Sequence, residues 1–317
     1  VVVDEQHRFG VEQRDRLRAQ APEGIPPHLL VMTATPIPRT VALAVYGDLA
    51  ISKLRELPRG RQKITTNTIF VREKPAWLAR AWARVAEEVR AGRQAYVVAS
   101  RIDENDKSAE KGADGGPPPV TVVDLYAQLQ QGPLAGLRLG LMHGRLPSDE
   151  KDAVMAAFRA GEIDVLVSTT VIEVGVDVPN ATVMVVMDAD RFGISQLHQL
   201  RGRIGRGQHP SLCLLATKLP EDSKAGQRLT AVASTQDGFE LAELDLRERS
   251  EGDVLGFTQS GRPVTLRFLS LAEHEDIIFT ARELCEKVYE ADPLDPGMAS
   301  LSAPFTVTDR VQYLDMS

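Results

Sequence analysis

The stretch Leu197-His198-Gln199-Leu200-Arg201-Gly202-Arg203-Ile204-Gly205-Arg206-Gly207 decides how the rest of the chain is read. Arg203 and Arg206 stand three residues apart, each preceded by a glycine, after a short amphipathic run. This spacing predicts that both guanidinium groups leave one helical face together. A guanidinium stays charged at any physiological pH and meets phosphate oxygens through two parallel hydrogen bonds. Gly202 and Gly205 remove side chains that would crowd such an approach. Alone, the pattern is more often a solvated basic helix end, so the remainder of the chain has to decide.

The chain opens on Val1-Val2-Val3-Asp4-Glu5-Gln6-His7. A β-branched run of this kind suits a buried strand, and its acids fall at the carboxyl end, where open α/β sheets bind ligands. There Asp4 can hold Mg²⁺, and Glu5 can orient or deprotonate an attacking water. A second apolar run, residues 29–32, leads into Thr33-Ala34-Thr35-Pro36. Taken singly, that tetrad is a hydroxyl-bonded turn stopped by Pro36 and Pro38.

Composition sets the bounds. A chain of 317 residues, 43% hydrophobic and 26% charged, is long enough for two cores of ordinary size and has a soluble, globular balance. Cys213 and Cys285 are the only cysteines, which excludes a disulfide framework; no signal peptide or membrane-length apolar run occurs, and a cytoplasmic location with no membrane contact is expected. The net charge of −7 excludes a uniformly basic surface, so any nucleic-acid contact must come from local arginine clusters.

From residue 65 onward the pattern alternates strand and helix. Leu78, Ala81, Trp82, Val85 and Val89 fall at helical spacing before Gly92, and residues 95–99 form a strand-like run. Residues 107–119, polar and rich in Gly and Pro, read as a surface insertion. Helices are expected over 122–131 and 148–159, and strands over 139–142, 165–167, 183–187 and 212–216, which together make a doubly wound parallel sheet. Upstream, residues 40–45 predict a helix ended by Gly47, and Leu57-Pro58-Arg59-Gly60-Arg61 a basic hinge. Downstream, residues 271–289 predict a helix whose stripe of Ile277, Ile278, Ala281, Leu284 and Val288 reads as core.

In this order the pieces resemble the superfamily 2 helicases. Asp4-Glu5-Gln6-His7 looks like the DExH form of their Walker B motif and Thr33-Ala34-Thr35 like their TAT motif. His143-Gly144-Arg145 looks like a DNA-backbone motif, and Thr169-Thr170 through Gly175, Asp177 and Pro179 like motif V. Gln199, Gly202, Arg203, Gly205 and Arg206 match the final motif, whose last arginine is the finger reaching the γ-phosphate. Asp4 to Val11, Met32 to Thr40, Tyr46-Gly47-Asp48-Leu49 and Glu56 to Arg61 sharpen the resemblance to the RecG family of branched-DNA translocases, over residues 1 to about 270. The related transcription-repair coupling translocases usually carry an acid where Gln6 stands. Residues 237–261 resemble the translocation motif that both groups share, with departures at Ser250-Glu251 and Thr258.

The resemblance implies a RecA-like fold: residues 1–60 as the remnant of a first motor domain, 61–220 as a complete second one, and 221–317 as a mainly helical extension. It implies ATP and Mg²⁺ as cofactors, with Asp4, Glu5, His7, Arg203 and Arg206 catalytic. Gln199, Gly175 and Asp177 would lie near the nucleotide. Thr33, Thr35, His143, Thr169 and Thr170 would serve DNA contact or its link to hydrolysis, and Arg247 and Gln259 would couple hydrolysis to movement. Its partners would be forked or branched DNA and single-strand DNA-binding protein, and the protein would act as a monomer. No GxxxxGK[ST] loop occurs in the 317 residues and the chain begins on a core-type strand without Met, which reads as a carboxy-terminal fragment lacking the phosphate loop and a strand-splitting wedge domain. The rival reading is a degenerate helicase half kept as a non-catalytic nucleic-acid-binding module.

Overall fold

The structure, a computed structural model, describes residues 1–4, 28, 30–33, 52–54, 62–102, 119–170, 177–248 and 274–302. The chain divides into two compact units, Arg55–Leu241 and a second made of Val1–Leu54 with Ala242–Ser317. Within the second, strands β1 (Val2–Val3) and β2 (Leu30–Val31) pair in parallel, Val2 opposite Leu30 and Val3 opposite Val31. The expected helix over 40–45 and the basic hinge at 57–61 lie outside the described residues.

Arg55–Leu241 is built on β3 (Ile64–Phe70), helix α1 (Pro75–Arg90), β4 (Gln94–Val98), α2 (Val122–Gln131), β5 (Leu139–Met142), α3 (Ser148–Arg159), β6 (Val165–Ser168), β7 (Ala181–Val186), α4 (Ile194–Arg201), β8 (Ser211–Thr217) and α5 (Lys224–Ser234). The six strands β3 to β8 form one sheet in the order β3-β8-β7-β4-β6-β5, with every pairing parallel. The central strands β4, β6 and β7 are buried along their whole length, as their near-continuous Val, Leu and Ala content requires of a sheet covered on both faces. One face packs Ala95, Val97, Val165, Val167, Val183 and Val185 against Trp82, Val85 and Ala86 of α1 and Leu125 and Leu129 of α2. On the other face, Phe158 of α3 meets the Tyr96 ring edge-on at 5.1 Å. Helices on both faces make the sheet doubly wound.

Local chemistry sets the helix ends. The Thr121 hydroxyl accepts from the Asp124 amide at 3.1 Å and starts α2, and Gly132 ends it. Asp149 and Glu150 stand in the first turn of α3 and Arg159 in its last, the arrangement the helix dipole favours. The helix α5 packs on β3, with its Leu229 and Val232 buried.

After α5 come α6 (Gly238–Glu248), α7 (Glu275–Ala291) and α8 (Pro296–Ser302). The helix over 271–289 is therefore present from Glu275, but the core reading of its apolar stripe fails. Ile277 and Leu284 are 48% and 61% exposed, and Ala281 is exposed too. No described helix is long and apolar enough to cross a membrane. Cys213 is buried and Cys285 exposed, both as free thiols.

Candidate functional site

Because all six strands run the same way, the sheet has a carboxyl edge and an amino edge, and the candidate residues divide between them. His143 follows β5, and Thr169 and Thr170 follow β6, so these three lie on the carboxyl edge; the Thr169 amide donates to the Met142 carbonyl at 3.2 Å. His143 and Thr170 are half-buried and Thr169 is buried. Lys151, on the helix behind this turn, donates to the Gly144 carbonyl at 2.8 Å and steadies it.

Asp177 precedes β7 and the arginine pair precedes β8, so these lie on the amino edge. The helix α4 ends at Arg201 with Gly202 as its cap, which places Arg203 and Arg206 in the following turn rather than on one helical face. The reason is visible in the turn. Ile204 is fully buried, and Gly205 adopts φ +72°, a left-handed conformation that reverses the chain. A Cβ on Gly205 would come within 2.7 Å of Ile64 Cγ1, and one on Gly207 within 2.4 Å of the Pro179 carbonyl oxygen. The glycines therefore press the arginine turn against the starts of β3 and β7.

Arg206 Nε donates to the Gly202 carbonyl at 3.1 Å, and Nη1 lies 3.4 Å from Asp177 Oδ1. These contacts engage Nε and one of the terminal nitrogens. Arg203 and Gln199 are half-buried beside it. In the other unit, the β1–β2 register puts Asp4 and Thr33 at the carboxyl ends of neighbouring parallel strands, both exposed. A single carboxylate there suits Mg²⁺, which keeps most of its shell as water and substrate phosphate. Glu5, His7, Thr35, Gly175 and Gln259 lie outside the described residues, and Arg247 is exposed in the last turn of α6.

Over all of its 317 residues the chain is 70% identical to the ATP-dependent DNA helicase RecG of Mycobacterium tuberculosis, of which it spans 43%. The chain belongs to the RecG family. It is 49% identical over 263 residues to the RecG of Bacillus subtilis, covering 83% of this chain and 36% of that protein. The helicase conserved C-terminal domain family matches residues 88–208, and the family of RecG domain 3, C-terminal, matches residues 235–299. A solved structure of a RecG bound to a three-way DNA junction superposes with a TM-score of 0.63 at 38% identity, over 88% of this chain and 33% of that one. The chain thus spans less than half the length of these RecG relatives.

Two residues of this RecG-family chain escaped the sequence reading. Arg201 is 3% exposed, and burial draws its pKa down. The signal was present, since Arg201 stands seven after Ile194 and four after Leu197 on the apolar face of α4. Asp188, at the end of β7, is buried at φ 47°, accepts from the Val120 amide at 2.6 Å and lies 3.9 Å from Lys218 Nζ. Burial pushes its carboxyl pKa up. Nothing in the local sequence distinguishes it from an ordinary turn residue.

Proposed function

We propose that this chain is the greater part of the motor of an ATP-dependent DNA helicase that remodels forked or branched DNA in recombination and repair. What supports the reading most is the arginine turn: a guanidinium on the amino edge, held by a carbonyl and a 3.4 Å ion pair, with further donors to offer a phosphate. Arg206 acts as the finger on the transferring phosphoryl group, and Arg203 holds the same phosphates. Gln199, Gly175 and Asp177 line the nucleotide from this lobe. Asp4 would hold Mg²⁺, which when bound neutralises charge on the β- and γ-phosphates. Glu5 orients or deprotonates the attacking water, and His7 joins it in the catalytic set.

His143, Thr169 and Thr170 contact the DNA backbone on the carboxyl edge, and Thr33 and Thr35 link that contact to the nucleotide. Arg247 and Gln259 pass the hydrolysis cycle to movement along the strand. The domain partition follows: residues 1–60 from a first motor lobe, 61–220 as the second, and 221–317 as the coupling extension. The protein works as a cytoplasmic monomer, with single-strand DNA-binding protein as its neighbour at forks. The name of the relatives favours this reading over a transcription-repair coupling translocase.

The test is Arg206→Ala in the full-length protein. ATP turnover is expected to fall by about 10³-fold or more, with DNA affinity within a few-fold, because the finger acts on the transition state. Equal losses in binding and turnover would instead make Arg206 a DNA-backbone contact. Undiminished turnover would remove the finger assignment altogether.

A further inference from the structure

Arg201 is a buried cation in a chain that could have packed an apolar residue there. A buried guanidinium is costly unless its donors are matched, and such groups serve to fix a geometry rather than to add stability. Its donors are matched by groups on two elements. Nη1 donates to the Val232 carbonyl at 3.1 Å and the Thr235 carbonyl at 2.7 Å, and Nη2 lies 3.0 Å from His198 Nδ1. The last turn of α4, just before the arginine turn, is thereby tied to the end of α5.

From Thr235 the bonds run on into the next helix. The Thr235 hydroxyl donates to Glu240 Oε2 at 2.5 Å and accepts from the Asp237 amide at 3.1 Å, and Asp237 Oδ1 accepts from the Phe239 amide at 2.8 Å. This fixes the first turn of α6, whose Leu241 is buried. A second tie runs beside it. Gln236 Nε2 donates to the Ile64 carbonyl at 2.6 Å, and Ile64 is the residue on which Gly205 of the arginine turn rests. Both ties end on Thr235 and Gln236, the first two residues of the match to RecG domain 3, C-terminal.

We propose that Arg201 and Gln236 are positioning residues that lock the Arg203–Arg206 turn to the root of the C-terminal helical segment, so that a displacement of the turn reaches α6 without slack. The inference rests on the helicase reading above. It is distinct from the roles given to Arg247 and Gln259, which lie beyond the root. A continuous chain of hydrogen bonds between two rigid elements is the kind of connection that carries coupling, and substitutions along one change it without touching either ligand.

The test uses the full-length protein on forked DNA, measuring ATP hydrolysis and base pairs unwound in the same preparation. Thr235→Val cuts the chain between the guanidinium and α6 at nearly constant volume, and Gln236→Leu releases Ile64. Each is expected to keep DNA-stimulated hydrolysis within about threefold of wild type and to lose about five- to tenfold in base pairs unwound per ATP. Wild-type base pairs per ATP in both variants would overturn the proposal. So would a parallel fall in hydrolysis and unwinding with a lowered Tm, which would make the ties supports of the fold alone. A wild-type protein that neither hydrolyses ATP on DNA nor unwinds would reject the helicase reading itself, and this inference with it.

Discussion

At the scale of single residues, Gly205 is where backbone geometry and chemistry meet. Its φ of +72° is open to glycine at little cost and strained for any side chain, and a methyl there meets Ile64 Cγ1 at 2.7 Å. Gly205→Ala therefore has to push Ile64 aside or swing the turn that carries Arg203 and Arg206. The expected cost is about 1–3 kcal/mol, or roughly 3–10 °C in Tm. ATP turnover of the full-length variant should fall further than that loss of fold explains, because Arg206, in its proposed role as the finger, would lose its alignment on a displacement of about 1 Å. Thermal melting and steady-state hydrolysis on one preparation check this. An unchanged Tm together with unchanged turnover would show that the turn tolerates a side chain, and that its left-handed residue is incidental.

At the scale of elements, the amino edge is closed by a charge cluster. Glu88 of α1, 3% exposed, pairs with Arg84 at 2.7 Å and with Arg93, and accepts from the Thr182 hydroxyl of β7 at 2.8 Å. Burial alone would raise this carboxyl, but the hydrogen bonds from Arg93 and Thr182 and the charge of Arg84 outweigh it and hold the pKa below the usual value. A carboxyl depressed on folding stabilises the native state above its unfolded pKa of about 4.3, and that contribution is lost as pH falls through the lower native value. Glu88→Gln should thus melt below wild type at pH 7, with the gap closing as the pH is lowered from about 5 to below 4. A gap constant across that range would mean that packing, not ionisation, carries the effect. Elements such as these were largely legible in the sequence. Residues Val122–Gln131, Leu139–Met142 and Ser148–Arg159 have the bounds expected from the sequence, and in the structure Thr121, Gly132 and Pro147 stand at the helix ends. The end of α4 was not, since it depends on Ile204 entering the core and on Arg201 finding acceptors 31 and 34 residues away. Nor was the exposure of Ile277 and Leu284, because amphipathic spacing says that a face is apolar and not what covers it. The same limit applied to the site: acids and arginines could be found one by one, whereas Asp188 drew notice only once Val120 was placed against it.

At the scale of the whole molecule, the division of candidate residues between the two edges of the sheet bears on how the proposed motor would be taken apart. Asp177 and the arginine pair precede their strands, whereas His143, Thr169 and Thr170 follow theirs, so the two sets lie at opposite ends of the sheet. The chain also carries Asp4, Glu5, Arg203 and Arg206 but no GxxxxGK[ST] anywhere in its 317 residues. Phosphates of a bound nucleotide need a cradle of backbone N–H groups and a lysine, and finger arginines act on a phosphoryl group already held in place. The 317-residue chain by itself is therefore expected to show no DNA-stimulated ATP hydrolysis, while the full-length protein shows it and loses it with Glu5→Gln. The comparison is phosphate release with and without forked DNA, for the chain, the chain carrying Glu5→Gln, and the two full-length forms. Turnover by the 317 residues above their own Glu5→Gln control would mean that they bind and position ATP without the loop. Absence of turnover in the full-length protein as well would favour the non-catalytic nucleic-acid-binding module, with the arginine turn serving the grip on phosphate rather than its transfer.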